Sequence, residues 1–118
     1  MTTFKPLEIS DISIITQMMQ DFYAIDNYPM DVEVAKTLFQ EFISDEHLGK
    51  SWLIYSENEI VGYIILTFIF SFEYGGKIAF VDELFIKETA RGKGFGKEAI
   101  QFIQQEVPKL SLKLLYLE

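Results

Sequence analysis

The chain has 118 residues, of which 49% are hydrophobic and 15% aromatic, and its formal net charge is −8. This length and apolar content predict one globular domain over residues 1–118, because enough apolar surface is present to bury a core. The acidic balance repels phosphate backbones and argues against nucleic-acid binding. Cysteine is absent, which excludes disulfides and a cysteine nucleophile, and with His47 as the single histidine we expect no metal site.

The sequence shows no signal for export or for membrane insertion. Met1–Lys5 contains no apolar secretory stretch. The longest apolar run, Ile60–Phe72, is shorter than the roughly 20 residues that cross a bilayer. We therefore expect a cytoplasmic protein without a membrane partner, in which this run forms a buried strand.

The first half of the chain predicts a strand and two helices. Phe4–Leu7 fits a short strand, and Ser10 or Asp11 can cap a helix that should end before Pro29. Apolar residues recur in that helix at three- and four-residue steps: Ile12, Ile15, Met19 and Phe22. Asp31 can cap the second helix. Its apolar face is predicted to be Val34, Leu38 and Phe42, backed by Ala35, Phe39 and Ile43.

The second half predicts three strands, a glycine-rich loop, a helix and a last strand. The strands are Trp52–Tyr55, Ile60–Phe72 and Ile78–Ile86, and the last one is Leu112–Leu117. The helix has apolar residues at four-residue steps and should end at Pro108. The order β-α-α-β-β-β-α-β predicts an α+β fold with three α/β/α layers. Long apolar strands indicate a mixed, mostly antiparallel sheet with helices on both faces.

The glycine-rich loop, Lys87–Lys97, is the most informative segment. Its three alternating glycines let the backbone turn sharply and bring N–H groups close to a ligand. The helix that follows adds its free first-turn donors and the positive end of its dipole. Arg91, Lys93 and Lys97 place cationic charge in an otherwise acidic protein. These features together suit a pyrophosphate group.

Two known phosphate-binding motifs fit the loop less well. A P-loop requires Ser or Thr after Gly-Lys, but Glu98 follows Lys97 here. A dinucleotide fingerprint matches as Gly94-x-Gly96-x-x-Ala99. That motif normally follows the first strand of a repeating β-α-β unit, whereas a run of three strands precedes it here.

The dinucleotide motif would also need an acidic residue at the end of the next strand, and Glu118 is the candidate. A dinucleotide-binding oxidoreductase fragment therefore remains an alternative at this point.

The sequence resembles the GNAT superfamily of acetyl-coenzyme A-dependent N-acetyltransferases. The resemblance is carried by Phe80–Ile86 followed by Arg-Gly-x-Gly-x-Gly in Arg91–Lys97. Ile60–Leu66 and the two preceding helices also look like the N-terminal half of that family, so the likeness covers nearly the whole chain.

This resemblance implies two stretches that bind acetyl-coenzyme A. Leu84, Phe85 and Ile86 would pair with the pantetheine arm through backbone groups. The pyrophosphate would be held mostly by backbone N–H groups of Arg91, Gly92, Lys93, Gly94, Phe95, Gly96 and Lys97. The acceptor would be a primary amine of a small molecule or a protein, which an acidic surface favours.

The resemblance also suggests Glu83 as the general base, since an apolar surround raises the pKa of a carboxyl toward the useful range. Asp82 should point to the opposite face, because strand side chains alternate. The alternative is that either acid is structural and pairs with a lysine or a backbone donor.

Compared with the family, the sequence lacks the final strand–helix–strand unit, which puts catalysis in doubt. Tyr116 lies in the last predicted strand, where packing explains it better than a catalytic role. The open edge of that strand could pair with a second copy to form a homodimer. The alternative functions are a non-catalytic acyl-coenzyme A-binding module and a half-domain that self-association completes.

Several polar residues lie where relatives often form the acceptor wall, between the first two helices. They are Tyr23, Asp26, Tyr28 and Asp31. Caps and turns explain Tyr28 and Asp31 equally well, so none is assigned to the substrate.

Overall fold

The computed structural model describes residues 1–117, so Glu118 lies outside the described residues. Five strands form one sheet in the order β1-β2-β3-β4-β5. Neighbours from β1 to β4 run antiparallel, and β5 pairs with β4 in parallel. The strands are β1 (Thr2–Pro6), β2 (Gly49–Ser56), β3 (Glu59–Ser71), β4 (Gly76–Ile86) and β5 (Leu114–Tyr116). The helices are α1 (Ile12–Ile25), α2 (Val32–Ser44) and α3 (Phe95–Lys109).

Both faces of the sheet are buried, as the continuous apolar strands predict. Alternate residues of β2 and β3, such as Trp52 and Ile64, belong to a core shared with α3. The intervening residues, such as Leu53 and Tyr63, pack with α1 and α2. Because side chains alternate along a strand, one apolar run supplies both cores. The predicted three-layer fold with a mixed, mostly antiparallel sheet is confirmed.

The starts of the first two helices are stabilised differently. Asp31 caps α2 as predicted, since its carboxylate accepts hydrogen bonds from the backbone N–H groups of Glu33 at 3.0 Å and Val34 at 3.1 Å. Asp11 occupies the corresponding position of α1 without a capping bond. Its carboxylate instead accepts from the Lys5 ammonium at 2.6 Å and from the Glu8 backbone N–H at 3.0 Å. A salt bridge to β1 and a bond to the preceding turn thus take the place of the expected cap.

The predicted apolar face of α2 is wrong for two of its residues. Val34 and Leu38 are 54% and 58% exposed, whereas Ala35 and Phe39 are buried. Both stripes have helical spacing, so the sequence alone cannot tell which one faces the sheet. The docking of α2 on β2 and β3 selects the stripe that contains Phe39.

The ends of three predicted elements also differ. Helix α3 continues one residue past Pro108 to Lys109, and β5 covers only three residues of the predicted Leu112–Leu117. The far end of β3 extends beyond the helices, where Phe70 is 70% exposed. The predicted buried strand is thus buried only along its central part. Within residues 1–117, no helix combines the length and apolar character required to cross a membrane.

Candidate functional site

A β-bulge interrupts strand β4 at its centre. Ile65 of β3 pairs with Glu83, but the next residue, Leu66, pairs with Val81. Asp82 is therefore the extra residue on β4 and has no partner in the ladder. Bulges of this kind bend a strand and redirect its side chains.

The bulge corrects the prediction for Asp82. Strict alternation would place Asp82 and Glu83 on opposite faces, but both side chains line the same cavity beside Tyr23 of α1. The extra residue breaks the two-residue period, so two carboxylates meet on the side of the sheet that carries α1 and α2.

Two tyrosines from different elements donate hydrogen bonds to the Glu83 carboxylate. The Tyr23 hydroxyl of α1 lies 2.5 Å from Oε2, and the Tyr63 hydroxyl of β3 lies 2.7 Å from Oε1. Tyr63 is completely buried, and its ring packs at 5.6 Å from that of Phe85. The carboxylate is thus held in a fixed position by hydrogen bonds and not by a cation, since within residues 1–117 it forms no salt bridge.

This environment raises the pKa of Glu83 above its ordinary value. Burial is the main cause and the nearby Asp82 charge adds to it, while the two tyrosine hydrogen bonds act in the opposite direction. Burial and the adjacent Glu83 also raise the pKa of the Tyr23 and Tyr63 hydroxyls, which therefore remain donors at neutral pH. The group that results is a half-buried carboxylate that is a stronger base than a free one.

The glycine loop has the backbone geometry that its sequence predicts. Gly92 and Gly94 adopt φ of 79° and 87°, in the left-handed region that glycine favours, and Gly94 is the N-cap of α3. Within residues 1–117, the six backbone N–H groups from Gly92 to Lys97 donate to no protein acceptor. No side chain caps α3 either. Six consecutive donors at the positive end of a helix form a site suited to an anion.

The cationic side chains of the loop differ in their surroundings. Arg91 donates from Nε to the Ile86 carbonyl at 2.9 Å, and its guanidinium lies 5.9 Å from the centre of the Phe85 ring. No carboxylate of the described chain forms an ion pair with Lys93 or Lys97. Arg91 therefore ties the loop to the end of β4.

The loop lies next to the open edge of β4. A Cβ atom on Gly96 would be 4.0 Å from the Leu84 side chain. Strand β5 pairs with β4 only from Ile78 to Phe80. The Lys87 N–H donates to the Val61 carbonyl of β3. Backbone groups of an antiparallel strand face the neighbouring strand at every second residue. Those of Phe85 therefore face β3, and those of Leu84 and Ile86 face the open edge. Of the three residues predicted to pair with pantetheine, Leu84 and Ile86 thus direct their backbone groups to the open edge, whereas Phe85 directs its own toward β3.

Three cavities meet at the bulge, and Asp82 and Glu83 line all of them. A cavity of about 260 Å³ extends along the open edge of β4, past Leu84 and Ile100. The other two, of about 380 and 240 Å³, lie on the side of α1 and α2. Glu83 is therefore accessible both from the edge where the loop lies and from the opposite side of the strand.

Sequence reasoning placed the loop correctly but missed the partners of Glu83. Tyr63 drew no attention because it lies inside an apolar run. A usable signal was present: a buried tyrosine hydroxyl requires a hydrogen-bond partner. The sequence alone assigns no role to Tyr23. Tyr116 stacks on Phe80 at 5.2 Å, which fits the packing role expected of it. Among residues 1–117, no three His, Asp or Glu side chains are grouped to hold a metal ion.

A comparison with models of protein families shows which family the chain matches. Residues 14–118 match the model of the Acetyltransferase (GNAT) family. The chain belongs to the GNAT family. Family membership implies acyl transfer from acyl-coenzyme A. The dinucleotide alternative is wrong, because strands β1 to β4 of this chain pair antiparallel and do not form repeating β-α-β units.

Several solved structures share the fold of this chain. An integron cassette protein from the mobile metagenome of Cole Harbour Salt Marsh is 36% identical, with a TM-score of 0.92 over 98% of this chain and 76% of its own. A ribosomal-protein-alanine N-acetyltransferase from Brucella melitensis is 19% identical, with a TM-score of 0.82 over 100% of this chain and 79% of its own. The comparison with curated proteins gave no match.

A further GNAT-fold neighbour is a predicted acetyltransferase from Clostridium acetobutylicum, whose structure contains acetyl-coenzyme A. It is 16% identical, with a TM-score of 0.79 over 100% of this chain and 80% of its own, and so it shows a shared fold.

Proposed function

We propose that this GNAT protein transfers the acetyl group of acetyl-coenzyme A to a primary amine, with Glu83 as the general base. The observation that carries the proposal is the juxtaposition of two features along β4. The loop with six unpaired N–H groups lies beside Leu84. Glu83, whose carboxylate accepts hydrogen bonds from two tyrosines, directly precedes Leu84 in β4.

The loop residues Arg91–Lys97 would hold the pyrophosphate of the coenzyme. Six N–H donors and the unpaired Lys93 and Lys97 complement a doubly charged diphosphate. The outward backbone groups of Leu84 and Ile86 would pair with the amide groups of the pantetheine arm, as an added strand does. These two residues have two N–H groups and two carbonyls between them. The Ile86 carbonyl already accepts a hydrogen bond from Arg91, so the other three groups remain for the ligand. The coenzyme supplies an acetyl thioester next to the bulge.

Glu83 would take a proton from the acceptor ammonium, because only a neutral amine has the lone pair needed for attack. The amine nitrogen forms the new C–N bond and the C–S bond breaks. The nitrogen then gives up a second proton as the amide forms, and the leaving thiolate takes up one proton to give the free thiol. The raised pKa of the Glu83 carboxyl makes it a more effective base than an exposed glutamate. Tyr23 and Tyr63 hold the carboxylate in place for this step.

The proposal is tested by thiol release from acetyl-coenzyme A with a panel of primary amines, using Glu83→Gln and Asp82→Asn as a matched pair. Asp82 lines the same cavity but forms no bond to the tyrosines. Removal of a general base lowers the rate by about 10²–10⁴-fold. We expect that loss in kcat for Glu83→Gln only, with unchanged coenzyme affinity in both variants.

Full kcat in the Glu83→Gln variant would remove Glu83 as the base. Coenzyme binding without thiol release from any amine would favour the non-catalytic acyl-coenzyme A-binding module instead.

A further inference from the structure

The cavity of about 240 Å³ beside Glu83 differs in character from the rest of the site. It lies between α1, α2 and the two central strands, and most of its lining is apolar. The apolar lining residues are Met19, Ala35, Leu38, Phe39, Phe42 and Ile65. The polar lining residues are Tyr23, Thr67, Asp82 and Glu83. An apolar chamber thus opens directly onto the proposed base.

Leu38 is the unusual member of this lining. It lies on α2 and is 58% exposed, although it borders a cavity with the buried Phe39. A leucine in this position leaves apolar surface in contact with water, and a ligand with an apolar body would cover it. Apolar cavities of about 150 Å³ are large enough to bind benzene. The observed volume therefore accommodates an aromatic ring or a branched alkyl group.

The charges around the site select against anions. Asp26, Asp82 and Glu83 line this cavity or the adjoining one of about 380 Å³. No Lys, Arg or His of the described chain lines either cavity. The aromatic rings of Tyr23 and Tyr28 add faces that attract a cation. A ligand with a carboxylate or phosphate near its amino group would meet only like charges.

We propose that the acceptor is a primary amine with an apolar body and no anionic group. The ring or branched alkyl group lies in the chamber lined by Leu38 and Phe39, and the amino group lies at Glu83. This inference rests on the proposed acetyltransferase activity and narrows its acceptor to a substrate class.

The test compares three amines in the thiol-release assay: 2-phenylethylamine, ethanolamine and phenylalanine. The first has the apolar body and no anion, the second lacks the body, and the third adds a carboxylate. We expect kcat/KM for 2-phenylethylamine to exceed each of the others by at least about 10-fold, as differences in apolar contact of this size give. Equal or better use of ethanolamine or phenylalanine would overturn the inference.

A matched pair of variants locates the apolar body. Leu38→Ala removes the exposed lining residue, and Val34→Ala removes an equally exposed apolar residue one turn away that does not line the cavity. We expect Leu38→Ala to raise KM for 2-phenylethylamine by about 5–10-fold and to leave ethanolamine unchanged. Val34→Ala should change neither. An equal effect of Leu38→Ala on both amines, or none, would refute the placement.

Calorimetry of 2-phenylethylamine binding to the wild-type protein and to Leu38→Ala tests the amine site without the reaction. It therefore separates failure of the proposed amine site from failure of the proposed acetyltransferase activity. Absence of thiol release with all amines would refute the acetyltransferase activity. Binding of 2-phenylethylamine that Leu38→Ala weakens would still support the chamber as an amine site, and absence of binding would overturn it.

Discussion

Replacement of Gly94 by alanine tests the loop through backbone strain alone. Gly94 has φ of 87°, and a Cβ atom built there has nothing within 4 Å, so the added methyl group causes no clash. A non-glycine residue in the left-handed region costs about 1–2 kcal/mol. Gly75, in the turn between β3 and β4, has φ of 81° and is equally free of neighbours, which makes Gly75→Ala a matched control.

We expect this strain energy to lower the free energy of unfolding in Gly75→Ala and mainly the affinity for acetyl-coenzyme A in Gly94→Ala. In Gly75→Ala the whole strain lowers the free energy of unfolding, and acetyl-coenzyme A affinity is unchanged. In Gly94→Ala the exposed loop can relax when it is free of ligand, and the strained form must be restored for the N–H groups to converge on the pyrophosphate. An energy of about 1.4 kcal/mol is a factor of 10 in affinity.

We therefore expect the Kd of acetyl-coenzyme A to rise about 10-fold in Gly94→Ala, measured by isothermal titration calorimetry. Urea unfolding should show a smaller stability loss than in Gly75→Ala. Unchanged affinity in Gly94→Ala would refute the claim that this conformation of the loop binds the coenzyme.

Three further changes test the site and its support. Tyr63→Phe removes a hydrogen bond that lowers the pKa of Glu83. In a pH–rate profile, the pH below which turnover falls should therefore move upward, and turnover should recover at high pH. A downward move would contradict the role of this bond. Asp31→Ala removes the α2 cap and should lower the free energy of unfolding in urea by about 1 kcal/mol; no measurable loss would show the cap to be unimportant. Gly62→Ala places a Cβ atom 2.0 Å from the Phe85 carbonyl oxygen, so β3 and β4 must separate, and stability should fall by about 1–3 kcal/mol; a neutral result would mean that the strands shift easily.

The sequence predicted those features that depend on local pattern. Glycine spacing, capping residues and apolar runs are properties of neighbouring residues, so the loop, the cap at Asp31 and the order of helices and strands along the chain could be derived from them. The face of α2 could not be derived, since the stripes that contain Leu38 and Phe39 are both apolar. Only packing against the sheet distinguishes them.

The bulge at Asp82 was beyond sequence reasoning for a different reason. Strand register depends on how two strands pair along their whole length, and one extra residue reverses the side-chain directions beyond it. The meeting of Tyr23, Tyr63 and Glu83 follows from that register and from the docking of α1. These residues are far apart in the chain, so no local spacing indicates that they form one group.

The proposed function depends on binding of the acetyl-coenzyme A pyrophosphate by the unpaired N–H groups of residues 92–97. This binding can be followed by titrating ¹⁵N-labelled protein with acetyl-coenzyme A and recording the amide chemical shifts. We expect these six amide protons to move downfield together as they form hydrogen bonds to phosphate oxygens. Binding that leaves them unchanged, or absence of binding, would contradict it.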